Sequence, residues 1–142
     1  LHIAPPAEIP GELQATFPFL QIPGLADFLR NFGGLANWSL PPGPSFFPAS
    51  ECRVVATDCD YHDWGMIGEW AGSLPLYYTG TGNIIVVSPA DRCAKWDHDI
   101  GWERDDEDPF ESLNWSMSTL VEEFIAYLSL DDSNAKDSPF YY

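Results

Sequence analysis

The sequence predicts an α+β domain, an antiparallel β-meander sheet packed by N-terminal and C-terminal helices. Three observations lead there: apolar residues at helical spacing after Pro23, a central series of short apolar and aromatic runs separated by turn formers, and a second helical pattern beginning near Thr119. A length of 142 residues suits one domain spanning 1–142, with a proline-rich N-terminal segment over 1–22 and a polar tail over 131–142. Apolar residues make up 45% of the chain and aromatic residues 15%, enough for a sizeable core. No stretch approaches the roughly 20 apolar residues needed to cross a bilayer.

In the first segment Pro5, Pro6, Pro10 and Pro18 oppose a long regular element, and Glu12 to Phe17 is compatible with one short helical turn. Leu25, Phe28, Leu29 and Phe32 then fall at i, i+3, i+4 and i+7, predicting a short amphipathic helix. Pro23 suits its first position, and Gly33 suits a left-handed residue after its end. Leu40-Pro41-Pro42-Gly43-Pro44-Ser45 reads as a rigid surface loop, because proline neither donates a backbone hydrogen bond nor continues a helix. Cys52 to Ala56 fits either a strand or a helix end.

Leu74 to Tyr78, Ile84 to Val87 and Cys93 to Trp96 are rich in β-branched and aromatic residues, with turn formers at Thr79 to Asn83 and Ser88 to Arg92. This describes a meander of antiparallel strands. Ile84 to Val87 is apolar on both faces, which predicts a central strand with helices over one face and aromatic side chains over the other. Asp97 to Glu111 holds eight acidic residues and one base, Arg104, and is expected to be a solvated loop held open by like-charge repulsion. Thr119 and Glu122 form a Thr-x-x-Glu capping box, followed by Leu120, Val121, Phe124, Tyr127 and Leu128 on one face of a closing helix. The tail ends in Phe140-Tyr141-Tyr142, which either docks or hangs free.

Twenty-two acidic residues against 6 Lys and Arg give a formal net charge of -16. Long-range repulsion from phosphate backbones and anionic lipid then argues against nucleic-acid and membrane partners. The same field would accelerate encounter with a cationic protein, although acidity also serves solubility alone. Cys52, Cys59 and Cys93 are too few for a disulfide framework, and neither a basic n-region nor a signal-type apolar stretch is visible near Leu1. A cytoplasmic location is the expectation.

The order of these features resembles the SUKH superfamily, bacterial toxin-immunity proteins with related fungal cell-wall regulators. The resemblance rests on Leu74-Pro75-Leu76-Tyr77-Tyr78, the Gly-rich turn Thr79-Gly80-Thr81-Gly82-Asn83, the strand Ile84 to Val87, Cys93 to Trp96 leading into Asp97-His98-Asp99, and the closing segment Ser116 to Phe124. It covers about half the chain. Phe28 to Gly34 is similar to a family helix ending in an Asn-Gly-Gly turn, with Phe32 inserted after Asn31. The proline-rich residues 1–23 and 40–48 depart from the family. The resemblance implies an immunity protein that binds a cognate polymorphic toxin, commonly a nuclease or nucleic-acid deaminase; its fungal members imply a regulatory interaction scaffold as the alternative.

The candidate partner-binding residues are Trp96, Asp97, Asp99, Trp102, Glu103, Asp105, Asp106, Glu107, Asp108 and Glu111. Aromatic anchors supply interface energy while surrounding charges supply orientation and association rate, and the carboxylates would pair with the Lys and Arg of a nucleic-acid-binding cleft. The plain alternative is a solvated loop without a partner. Cys59, His62, Cys93 and His98 contain the residue types of a zinc site and of a small metalloenzyme, but only Cys59 and His62 stand at a usual short spacing, and Cys93 suits a core position. Asp58, Asp60 and Asp63 lack the glycine and glutamate offsets of a calcium loop. His62 and His98 lie beside Asp, as a general base would, yet no nucleophile motif accompanies them. Gly80-x-Gly82 lacks the third glycine and following helix of a phosphate loop and reads as a hairpin turn. Trp64, Trp70, Tyr77 and Tyr78 fit sheet and core packing, with a ligand groove as the other reading. No catalytic residue, cofactor or metal is assigned, and the protein is expected to be a binder and not an enzyme.

Overall fold

The computed structural model describes residues 2–36, 44–52, 72–97, 101–102 and 113–141, with backbone alone at 101–102. Its elements are α1 (Gly11–Thr16), a 3-10 turn (Phe19–Gln21), α2 (Leu25–Phe32), β1 (Ser45–Phe46), β2 (Leu74–Tyr78), β3 (Ile84–Val87), β4 (Cys93–Asp97), β5 (Gly101–Trp102), α3 (Met117–Leu128) and α4 (Asp132–Ala135). The strands form one five-stranded sheet in the order β1-β2-β3-β4-β5, with every neighbouring pair antiparallel. This is the α+β meander that the sequence predicts. Among the described residues no helix is long and apolar enough to cross a membrane.

The proline-rich N-terminal segment joins the core. His2 and Ala36 exchange backbone hydrogen bonds of 2.7 and 2.9 Å, and the Ala7 N–H donates to the Arg30 carbonyl at 2.9 Å. Ile9, Leu13 and Phe17 are buried as a result. The second helix begins at Leu25, two residues later than a first helical position at Pro23 would require, because Gly24 takes the cap with φ +79. Its end also differs from expectation. Gly33 has φ -58, and the left-handed residue is Gly34 at φ +82. Gly33 is needed for a different reason: a Cβ there would stand 2.5 Å from the Leu29 carbonyl oxygen and 3.2 Å from the Ala49 nitrogen.

β3 lies in the middle of the sheet, and its side chains serve two cores. Ile85 and Val87 belong to the large cluster shared with the helices, while Ile84 and Val86 join Ala94 and Trp96, with Phe47 and Tyr78 packed beside them. All four β3 residues are fully buried. A bulge between Pro75 and Tyr77 sets the faces of β2: Leu74 pairs with Val87 and Tyr77 with Ile85, leaving Leu76 as the extra residue. Without it, strict alternation would send Leu74 and Tyr77 to opposite faces. The proline is accommodated at the same irregularity, where its missing N–H interrupts the ladder least.

Phe46 of β1 is the centre of the helical side. Its ring meets Phe28, Tyr77 and Phe124 edge-on at centroid distances of 4.9, 5.0 and 4.9 Å, tying α2, β2 and α3 together. α3 starts earlier than the predicted Thr119 cap. Ser116 is the cap, its Oγ accepting from the Thr119 N–H at 3.2 Å, and Met117, Leu120, Phe124 and Tyr127 form the buried face. Leu128, expected on that face, is 42% exposed. The C-terminal tail docks: Phe140 is 1% exposed and its carbonyl accepts the Tyr77 hydroxyl at 3.0 Å. The surface loop expected over Leu40 to Ser45 is corrected at its end, where Pro44 is buried and Ser45 begins β1 through its pairing with Tyr78; Leu40 to Gly43, and Arg53 to Ala56, lie outside the described residues.

Candidate partner-binding surface

The acidic segment begins as part of the sheet. β4 continues to Asp97, and the chain returns at Gly101–Trp102 to pair with it, setting Trp96 opposite Trp102 and Asp97 opposite Gly101. The expected loop over Asp97 to Glu111 is therefore corrected at its start, which is a β-hairpin. Strand pairing satisfies backbone groups that a solvated loop would leave to water, and this local gain outweighs the repulsion of the first acids.

Beyond residues 103–112 the chain meets β4 again. The Cys93 N–H donates to the Trp115 carbonyl at 2.8 Å, so Trp115 bridges the beginning of the strand whose end carries β5. Two turns reinforce these anchors. In the first, between β2 and β3, Gly80 and Gly82 adopt φ +89 and +108, confirming a hairpin turn, and the buried Asn83 donates from Nδ2 to Asp97 Oδ2 at 3.4 Å. In the second, between β3 and β4, Asp91 adopts φ +59 and its Oδ1 accepts the Met117 N–H at 2.8 Å. A carboxylate at that position meets both an orphan donor and the positive end of the α3 dipole. Neither Asn83 nor Asp91 stood out as more than a turn residue in the sequence, because the partner of each lies 14 and 26 residues away.

Trp96 does not sit as a partner anchor. It is 4% exposed and belongs to the second core with Ile84, Val86 and Ala94, so its ring holds the hairpin to the sheet. Asp97 is half-buried at the strand end. Trp102 is placed by its backbone alone, and Asp99, Glu103, Asp105, Asp106, Glu107, Asp108 and Glu111 lie outside the described residues.

No family model matches this chain, and no curated protein or solved structure matches it.

The remaining candidates separate in the same way. Cys93 is fully buried in the large core, and burial, with a smaller contribution from Asp91, pushes its thiol up to about 12. Cys52 behaves alike, raised to about 12 by burial and then by Glu51, with its Sγ directed at the Pro75 carbonyl. Both are protonated core thiols at neutral pH. Among the described residues no group of three or more His, Cys, Asp or Glu is arranged to hold a metal ion, and Cys59, His62, His98, Asp58, Asp60 and Asp63 lie outside them. Tyr77 packs in the helical core and Tyr78 against the second cluster, while Trp64 and Trp70 lie outside the described residues. A cleft of about 370 Å³ between α1 and α2 is lined by Ile9, Phe17, Phe19, Leu20 and Arg30, none of them from the sheet. Its Arg30 is held by Glu8 at 3.6 Å and Asp27 at 3.4 Å.

Proposed function

We propose that this protein is an immunity protein that binds a cognate basic toxin stoichiometrically, a nuclease or nucleic-acid deaminase, and neutralises it in the cytoplasm. The observation that carries the reading is the double attachment of the acidic segment to one central strand. β5 pairs with the end of β4, and Trp115 bonds to its beginning, so the chain on either side of residues 103–112 is anchored to the same strand. A segment with fixed ends loses less chain entropy when a partner orders it. The net charge of -16 favours a cationic partner and speeds its encounter. The SUKH resemblance of the meander and closing helix supplies the class of partner, and a toxin that handles nucleic acid would present the Lys and Arg these carboxylates fit. Binding, with no reaction catalysed, is the role proposed.

Co-expression and pull-down with the product of the gene immediately upstream tests this. A 1:1 complex that abolishes toxin activity is expected; a non-toxic neighbour or no complex overturns the reading. Within such a complex, reversing Asp105, Asp106 and Asp108 to Lys is expected to slow association by about tenfold or more at low salt and to flatten its salt dependence. An unchanged association rate would remove the acidic segment from the interface.

A further inference from the structure

The closing helix is apolar over a wider arc than the core uses. Met117, Leu120, Phe124 and Tyr127 face inward and are buried, whereas Val121, Ile125 and Leu128 follow at i, i+4 and i+7 on the adjoining strip. At about 100° per residue these three occupy one continuous flank of the helix. Val121 is half-buried, Ile125 is 60% exposed and Leu128 42%, with Leu130 at 43% two residues further on. Isolated exposed apolar residues need no explanation, but Ile125 and Leu128 are exposed side by side, next to a Val121 that packs in part on the core, and with Leu130 they extend the apolar surface of the helix beyond what the core covers.

The charge beside this strip decides what fits it. Glu122 borders the strip three residues before Ile125, Asp131 and Asp132 follow Leu130 directly along the chain, all three are exposed, and the segment from Met117 to Asp137 carries one base, Lys136. A second copy of the chain would bring the same carboxylates against themselves around a desolvated contact, which like-charge repulsion opposes. A partner segment with apolar side chains flanked by Lys or Arg satisfies both features. We propose that the Val121–Ile125–Leu128 face of α3 is a docking surface for an amphipathic, basic segment of a protein partner, which lays its apolar side on the strip and its cations toward the bordering acids. The choice of a basic protein rests on the reading above, and this surface adds an apolar anchor separate from the acidic segment that follows β4.

The test uses the full chain and a synthetic amphipathic peptide of about fourteen residues, with leucines at helical spacing and lysines elsewhere, against a control peptide in which serine replaces leucine. Fluorescence anisotropy is expected to show the Leu/Lys peptide binding more tightly than the Ser/Lys peptide. The paired substitution I125S/L128S is expected to weaken the Leu/Lys peptide by about tenfold or more, as truncation of central apolar anchors does. These positions are exposed, so thermal melting should confirm an intact fold. Leu20→Ser removes a fully exposed leucine elsewhere and is expected to leave binding unchanged. Equal affinity for the two peptides, indifference to I125S/L128S, or an equal loss on Leu20→Ser would each overturn the proposal. So would a wild-type dimer in sedimentation that I125S/L128S dissolves, since the occupant would then be a second copy. None of these readouts requires the toxin. Failure of the pull-down with the upstream gene product would refute the immunity reading while leaving this surface to be judged by the peptides.

Discussion

Replacing Phe140 with Ala should cost far more than a change in a polar tail ordinarily does. The ring is 1% exposed and meets Tyr77, Phe124 and Tyr127 at centroid distances of 5.2, 5.3 and 5.5 Å, while Trp115 stacks on it at 5.7 Å. Truncating a fully buried phenylalanine removes its transfer free energy and leaves a cavity, together about 3–5 kcal/mol. For a domain of this size that lowers Tm by roughly 10–20 °C. Tyr77→Phe removes only the hydroxyl bonded to the Phe140 carbonyl, so about 1–2 kcal/mol is expected, mainly from the unsatisfied acceptor. The two should couple. Once Phe140→Ala loosens the tail, that carbonyl reaches water, and Tyr77→Phe in the double variant should cost much less than alone. Urea unfolding followed by tryptophan fluorescence on the four proteins of the cycle measures this. A cost for Phe140→Ala below about 1 kcal/mol, or independent effects of the two changes, would refute the view that the tail is part of the core.

Three further outcomes follow from the packing. Gly33→Ala should destabilise by about 1–3 kcal/mol, read from the urea midpoint, because its Cβ would collide with backbone at Leu29 while Gly33's own φ is unstrained; a neutral result would mean the helix end shifts freely. Asp91→Ala should lower stability by about 1 kcal/mol through loss of the bond to the Met117 N–H, and an unchanged melting curve would refute that role. Cys52 and Cys93 are raised from 9.0 to about 12, so the unfolded chain loses these protons first as pH climbs. Their contribution is complete below pH 9 and is lost through pH 9 to 12, at most about 1.4 kcal/mol per pH unit for each thiol. Urea midpoints should fall over that window and fall less in Cys93→Ala; equal slopes would count against a buried thiol.

Local chemistry in the sequence determined the elements with strong, short-range signals. Leu25, Phe28, Leu29 and Phe32 mark a helix because 3.6-residue periodicity is a local property, and Thr79 to Asn83 marks a turn because Gly80 and Gly82 alone tolerate the positive φ it requires. The apolar run Ile84 to Val87 announced a strand covered on both faces, since no polar residue leaves a side for water. Tertiary structure decided what depended on distant partners. The bulge at Leu76 chose the face of Tyr77, and Ser116 displaced Thr119 as cap once Asp91 and Trp115 had set where α3 begins. The same reason separates the two parts of the acidic segment. Charge density from Asp97 onward is visible in the sequence, but folding Gly101–Trp102 back onto Trp96 and Asp97 gains backbone hydrogen bonds that a charge count does not contain. Trp96, an anchor by composition, became a core residue because its partner across the ladder is Ile84.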